Sequence, residues 1–421
     1  MLIEFNITNF RSIKERQTLS LSRAKYGEKE ESNTFSVAEQ SLLRSAVIYG
    51  PNASGKSNII NALGFMRSVV LASKKVDAGD LFDVAPFRLN AACREHPSEF
   101  EVSFIQDDIR YQYGFSVVSE RVIEEWLFAF PKGRAQRWFS REYDASTDTY
   151  EWYMGNALQG QKQVWLASTR PNSLFLSTAV SLNSTQLEPV FNWFRKVLKI
   201  SMTGNGWGPL ISSDLCENQG KDQVLNFLKA ADMDIVDIQI LENQFDPGSL
   251  PNDMPSVFRE SLIEEFRDKK ILEFKTIKND DEQQPVEFDL ESEESDGTQK
   301  LFALAGPWIR ALKDGHVLVI DELHLNLHSK LMSFLIEMFH DSKINTGNGQ
   351  LIFTSHDTNV MSQNIFRRDQ IWFCEKDDFL ATNLYPLSDF SPLKGKRENL
   401  EASYLDGKYG ALPFIRKKAL F

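Results

Sequence analysis

Hydrophobic and polar residues alternate at the start of the chain. Ile3, Phe5 and Ile7 share one side, with Glu4 and Asn6 between them, which predicts a strand. Residues 22–41 are polar and poor in aliphatics, and are expected to form a surface loop. The apolar run Ser45-Ala46-Val47-Ile48-Tyr49 stops at Gly50-Pro51, and Ile59, Leu63, Met66 and Val70 then recur at helical spacing. From about residue 99 the period returns to two. Phe100, Val102 and Phe104 alternate, as do Tyr111, Tyr113 and Phe115, with Asp107-Asp108 suited to the turn between them. An antiparallel meander is expected there, continuing through Trp126–Phe130, Arg137–Phe139 and Tyr150–Tyr153.

Residues 160–270 read as mostly helical, with loops at Thr203–Gly208 and Asp246–Pro255. Residues 280–296 hold nine acids and no Lys or Arg, the pattern of a solvated segment. Beyond them, Val317–Ile320 and Leu351–Thr354 are near-continuous apolar runs flanking a helical stretch, as in strands covered on both faces. Ile371–Cys374 reads as a further strand. The fold class expected is α/β: a mixed or parallel core sheet, an antiparallel meander and a helical insertion. The expected domains are 1–155, 156–280 and 281–421. With no repeat and no long heptad segment, a coiled-coil arm is not expected.

Charge and cysteine content narrow the partners. Across 421 residues, Lys and Arg number 47 and Asp and Glu 59, a net charge of 47 − 59 = −12. A chain so acidic is not coated with basic surface for indiscriminate DNA binding, although local patches remain open at Lys74-Lys75, Arg367-Arg368, Lys394/Lys396/Arg397 and Arg416-Lys417-Lys418. Cys93, Cys216 and Cys374 lie far apart, which argues against a disulfide scaffold or a cysteine zinc site. No apolar run reaches the roughly 18 residues of a membrane span, and the start lacks a signal-peptide pattern. A cytoplasmic protein without a membrane partner is the expectation.

The sharpest chemical signal is Gly50-Pro51-Asn52-Ala53-Ser54-Gly55-Lys56-Ser57, which matches G-x-x-x-x-G-K-[ST]. Average residue frequencies give the fixed positions a chance of about 1–2% over a chain of this length. Gly50 and Gly55 allow unusual dihedrals, so the N–H groups of Asn52, Ala53, Ser54 and their neighbours can turn toward phosphate oxygens. Lys56 supplies a mobile cation, and the Ser57 hydroxyl suits Mg²⁺. Asn58 opens a helix whose positive dipole end faces the anion. The run Val317–Ile320 ends in Asp321-Glu322, where Asp321 is expected to hold the metal and Glu322 to polarise water as a base. Leu351–Thr354 leads to Ser355-His356-Asp357, placing His356 to sense a γ-phosphate. Ser295-Asp296-Gly297 precedes an apolar helical stretch and reads alone as an N-cap. Gly306-Pro307 is expected to kink or end that helix. His324 and His328, four apart, lack a third metal ligand and read as surface or packing residues.

These four elements, in this order, resemble ABC-type ATPases of the RecF/SMC class. Ile7-Thr8-Asn9-Phe10-Arg11-Ser12-Ile13, Pro97–Val102 with Tyr111–Phe115, and Tyr404–Pro413 are similar to the small, arm-less branch of that class, which includes RloA-like and abortive-infection ATPases and subunits of phage-defence systems. The resemblance weakens over 155–270, and Leu325 and Asn326 depart from the branch's pattern. It implies that Ser295 and Gly297 form a signature contacting ATP held by a second copy, and hence a homodimer or higher homo-oligomer. It implies ATP and Mg²⁺ as cofactors, and a conformational switch acting on a separate effector, a nuclease or toxin, in anti-phage defence. The alternatives are a repair ATPase clamping DNA, for which nucleic acid would be the partner, and an ATP-gated scaffold with little hydrolysis.

Overall fold

The computed structural model describes residues 1–25, 29–73, 77, 79–202, 206–244, 254, 255, 259, 263, 264, 270–391 and 398–413. The chain forms two compact units, Met1–Gly206 with Arg310–Phe421, and Trp207–Ile309.

In the first unit the alternating N-terminal residues form β1 (Leu2–Thr8), which pairs with β2 (Gln17–Ser20). The stretch 22–41, expected as loop, instead carries a helical turn at Glu30–Asn33 and a hairpin of β3 (Thr34–Val37) and β4 (Gln40–Leu43). Phe35 and Leu42 are buried there, an apolar signal too short to see in a polar background. The expected meander follows: β6 (Ser98–Gln106), β7 (Ile109–Val117), β8 (Val122–Phe130), β9 (Gln136–Asp144) and β10 (Thr149–Met154). With β1 and β2 they make an antiparallel sheet in the order β10-β9-β8-β7-β6-β1-β2. Asp107 and Asp108 both take positive φ, as a tight hairpin turn requires.

The core sheet is mixed. Its order is β11 (Leu198–Ser201), β15 (Val317–Ile320), β16 (Gln350–Thr354), β5 (Ser45–Tyr49), β17 (Ile371–Lys376) and β18 (Thr382–Pro386). The first five run parallel and β18 antiparallel. Its central strands are buried at every residue, which is why they read as unbroken apolar runs. The helix Lys56–Ala72 follows β5 and buries Ile59, Leu63, Met66 and Val70 in one cluster with β1 and the meander. Glu125 of β8 and Arg141 of β9, neighbours in the antiparallel sheet and both fully buried, are paired at 3.0 Å. Glu125 also accepts from the Phe175 and Leu176 amides at the start of helix Phe175–Ser181.

The stretch 160–270, expected as mostly helical, contains β11 in the first unit. In the second unit it contains β12 (Asp237–Gln244) and the start of β13 (Lys270–Asn279). β13 pairs with β12 and with β14 (Pro285–Asp289), so part of the acidic segment is an exposed edge strand. The loop expected at Asp246–Pro255 lies mostly outside the described residues, and that at Thr203–Gly208 partly so. Nor does Pro307 end its helix, which runs unbroken over Asp296–Asp314. The Ser212 hydroxyl enters the helical ladder instead, donating to the Phe302 carbonyl and accepting from the Gly306 amide at 2.8 Å. A Cβ on Gly306 would stand 2.7 Å from the Ile211 backbone, so glycine makes the approach possible. Among the described residues no helix is long and apolar enough to cross a membrane.

Candidate functional site

β5 ends at Tyr49, and the loop 50–55 turns the chain into the helix beginning at Lys56. Gly50 has φ 156° and Gly55 φ 111°. A Cβ on Gly50 would lie 2.1 Å from the Cys374 carbonyl oxygen, and one on Gly55 2.1 Å from Thr382 Oγ1. Both glycines are thus required by close approach as well as by conformation. Ala53, inside the loop, also takes a positive φ of 62°.

The loop is propped from behind by both ends of the chain. Thr382 Oγ1 donates to the Ser54 carbonyl at 2.8 Å and lies 2.7 Å from Ser12 Oγ. Asn58 donates to Ser12 Oγ at 2.7 Å, and the Thr382 amide to the Ser12 carbonyl at 2.7 Å. Buried Cys374 donates to the Ser54 carbonyl from β17, and burial pushes its thiol up to about 11. Lys56 Nζ donates to the carbonyls of Gly50 at 2.9 Å and Pro51 at 3.1 Å. Burial pulls its ammonium below the ordinary value, and Cys374, Glu322 and Asp321 oppose that.

β15 delivers Asp321 and Glu322 beside the loop's strand system. Asp321 is buried, and its Oδ1 accepts from Thr354 Oγ1 at 2.7 Å. The same Oγ1 accepts from the Glu322 amide at 2.7 Å. Glu322 takes φ 52°, a left-handed conformation unusual for a side-chain-bearing residue. Its Oε1 lies 3.7 Å from His356 Nε2, close but beyond hydrogen-bond distance. Burial, Lys56 and His324 hold the His356 imidazole below its ordinary value against Glu322 and Asp321, so the ring is neutral near pH 7. The His324 and His356 rings meet edge to face at 5.6 Å. Asp357 accepts from Ser329 Oγ at 2.7 Å and from Asn359; burial would raise its carboxyl, but these bonds outweigh it and lower it. His328 caps the helix Ser329–His340 through the Lys330 amide, and no three-ligand metal cluster occurs among the described residues.

A half-open cavity of about 610 Å³ is lined by Gly50–Asn52, His356, Thr358, Tyr404 and Pro413. Its wall is built by hydrogen bonds: Tyr404 to the Ala411 carbonyl at 2.8 Å, Tyr385 to the Tyr409 carbonyl at 2.9 Å, and the Ala411 amide to Glu375 at 2.8 Å. Ser295 and Gly297 belong to the second unit. There Ser295 is exposed, and its Oγ accepts from the Thr298 amide at 3.2 Å at the start of helix Asp296–Asp314.

Of the basic stretches, Arg367 is buried against Asp369 and Arg368 is bound to Glu398 and to the Leu387 and Phe390 carbonyls. This pair is spent on internal structure, not on a DNA path. The other three stretches lie outside the described residues.

The residue set suits a Mg²⁺-bound nucleotide. Ser57 and Asp321 carry the hard oxygens that Mg²⁺ takes. Buried Ser54 Oγ has no hydrogen-bond partner among the described residues, and the 17-residue helix presents its N-terminus to the loop. Sequence reasoning missed Thr354, Thr382 and Cys374; only Thr354 had a nearby signal, its place just before Ser355-His356. A glycine loop between strand and helix, with carboxylates and a histidine closing the two neighbouring parallel strands, defines a P-loop ATPase head of the arm-less ABC type.

The chain belongs to the family described as "AAA domain, putative AbiEii toxin, Type IV TA system", whose model matches residues 45–362. No curated protein sequence matches it. Similar solved structures include the SMC head domain from Thermotoga maritima, at 12% identity over 91% of this chain and 98% of that one, TM-score 0.39. Another is the SmcHead bound to the C-winged helix domain of ScpA, at 14% identity over 91% and 97%, TM-score 0.45. A third is the Pyrococcus furiosus Smc head with an extended coiled coil, at 12% over 91% and 96%, TM-score 0.41.

Proposed function

We propose that the chain hydrolyses ATP with Mg²⁺, that two copies close around the nucleotide, and that this cycle switches a separate effector, a nuclease or toxin, in anti-phage defence. The observation that carries the catalytic part is the convergence of Lys56, Asp321, Glu322 and His356 at the ends of three adjacent parallel strands. Bound Mg²⁺ would supply charge neutralisation between the phosphates. Gly50–Asn58 bind the phosphate chain, Lys56 leaves the Gly50 and Pro51 carbonyls for phosphate oxygens, and Ser57 and Asp321 hold the metal. Glu322 takes the proton of the attacking water, and neutral His356 donates its ring N–H to the γ-phosphate. The head is read as lobes 1–155 and 281–421, with 156–280 as the insertion that distinguishes this protein. Ser295 and Gly297 of one copy complete the site of the other. The family's description and the resemblance of the chain's two ends to abortive-infection ATPases support the defence reading.

The test is turnover and assembly together. Purified chain is expected to hydrolyse ATP with Mg²⁺, and Glu322→Gln to lose at least about 100-fold in rate while accumulating as an ATP-dependent dimer by light scattering. Turnover unaffected by Glu322→Gln would refute the catalytic assignment. Absent turnover with ATP-dependent dimers would favour the gated scaffold, and nuclease activity of the chain alone would contradict a separate effector.

A further inference from the structure

The geometry points to Thr354 as a positioning residue for ATP hydrolysis: its one buried hydroxyl holds the metal-binding carboxylate and the backbone of the catalytic base in a single arrangement. The inference rests on the ATPase reading above. Thr354 is the last residue of β16, fully buried between β15 and β5. Its side chain touches both functional acids. The Glu322 amide can only donate, so a lone pair of the hydroxyl takes the amide and its single proton goes to Asp321 Oδ1. The Thr354 carbonyl accepts from the Leu323 amide at 3.2 Å, so three consecutive residues, 321 to 323, are tied to this one position.

Those ties matter because Glu322 sits at φ 52°. A side-chain-bearing residue leaves that region unless its surroundings fix it. Here the amide of the bent residue is anchored on Thr354, while its carboxylate reaches toward His356, two residues further along from the same anchor. A β-branched side chain has few χ1 wells, so the hydroxyl cannot wander. Packing alone does not account for the threonine. Valine has the same shape and would fill the volume, but it would take the hydroxyl away from both the Glu322 amide and the Asp321 carboxylate.

That contrast supplies the experiment. Thr354→Val and Thr354→Ser are made in the full chain, and ATP turnover is measured against ATP and Mg²⁺ concentration. Thr354→Val is expected to lose about 10–100-fold in kcat and to need about tenfold more Mg²⁺ for half-maximal rate, while its KM for ATP changes less than about threefold. Thr354→Ser, which keeps the hydroxyl, is expected within about threefold of the parent rate. Equal loss in kcat and ATP affinity, or unchanged kcat in folded Thr354→Val, would overturn the role. If the valine variant does not fold, a serine variant below about a tenth of the parent rate overturns it equally. Parent protein without Glu322-dependent turnover would sink the ATPase reading itself; normal parent turnover with an indifferent Thr354→Val sinks only this inference.

Discussion

Gly55→Ala is the substitution whose effect can be worked most directly from the loop. The residue sits at φ 111°, which an alanine occupies only at a cost of about 1–3 kcal/mol. The new methyl would lie 2.1 Å from Thr382 Oγ1 and 2.9 Å from Ser12 Oγ. Rotating Thr382 does not relieve this, because its methyl is already 2.8 Å away. The two hydroxyls must separate, breaking the Thr382 bond to the Ser54 carbonyl and the Ser12–Thr382 contact. At about 1 kcal/mol each, that adds about 2 kcal/mol. The total of about 3–5 kcal/mol falls on the loop's shape rather than on the core. If it is all expressed in nucleotide binding, affinity drops by about 10²–10⁴-fold. Calorimetric titration with Mg-ATP, with melting temperature as the folding control, measures this. Adding Thr382→Ala to Gly55→Ala removes the clash but neither the dihedral strain nor the loss of the two Thr382 hydrogen bonds, so its affinity is expected within about tenfold of Gly55→Ala alone. A folded Gly55→Ala protein binding ATP within threefold of the parent would refute the reasoning.

Two further predictions concern the framework that holds the site. Glu125→Ala strands buried Arg141 and leaves the Phe175 and Leu176 amides without their acceptor, and is expected to cost about 3–5 kcal/mol in urea unfolding; a loss under 1 kcal/mol would contradict it. His340 is fully buried beside Ser45 and Gln370, and burial, with Lys29 and Arg44 adding, pulls its imidazole down to about 3 from 6.5. Since the unfolded chain then binds the extra proton, this contribution is intact above about pH 6.5 and declines toward pH 3, by on the order of 1 kcal/mol per unit. Unfolding between pH 7.5 and 5 should show a shallower decline in His340→Gln, and identical slopes would argue against a buried neutral histidine.

What could be read from the sequence was what is carried locally. Val317–Ile320 and Leu351–Thr354 declared themselves because strands covered on both faces have no polar positions. The phosphate loop was legible because its chemistry fixes residue types at fixed spacing. β11 was not, since Leu198-Lys199-Ile200-Ser201 is four residues long and half-exposed at the sheet's edge. Only its pairing with β15 makes it a strand. Pro307 was misjudged because the hydroxyl that accommodates its helix comes from Ser212, nearly a hundred residues earlier. Ser12 and Thr382 meet across 370 positions, and no spacing rule reaches that far.

Those long-range contacts bear on what the domain is. The family match ends at residue 362 and begins at 45, yet Ser12, Cys374 and Thr382 all lie outside it. Each makes a hydrogen bond or a close backbone contact with the phosphate loop or its first helical turn. Behind Cys374, β17 is itself clamped. Phe373 stacks on Tyr404 and Tyr409, and Glu398 binds Arg368, Lys408 and Tyr409, which holds its carboxyl down near 2 although burial works against it. Ser12 and Thr382, remote from the motif in sequence, therefore meet at one loop, and residues 404–411 brace the strand that carries Cys374. The matched core contains the chemical groups, but their geometry is fixed by strands on either side of it. The shape of the phosphate loop thus depends on residues on both sides of the matched segment.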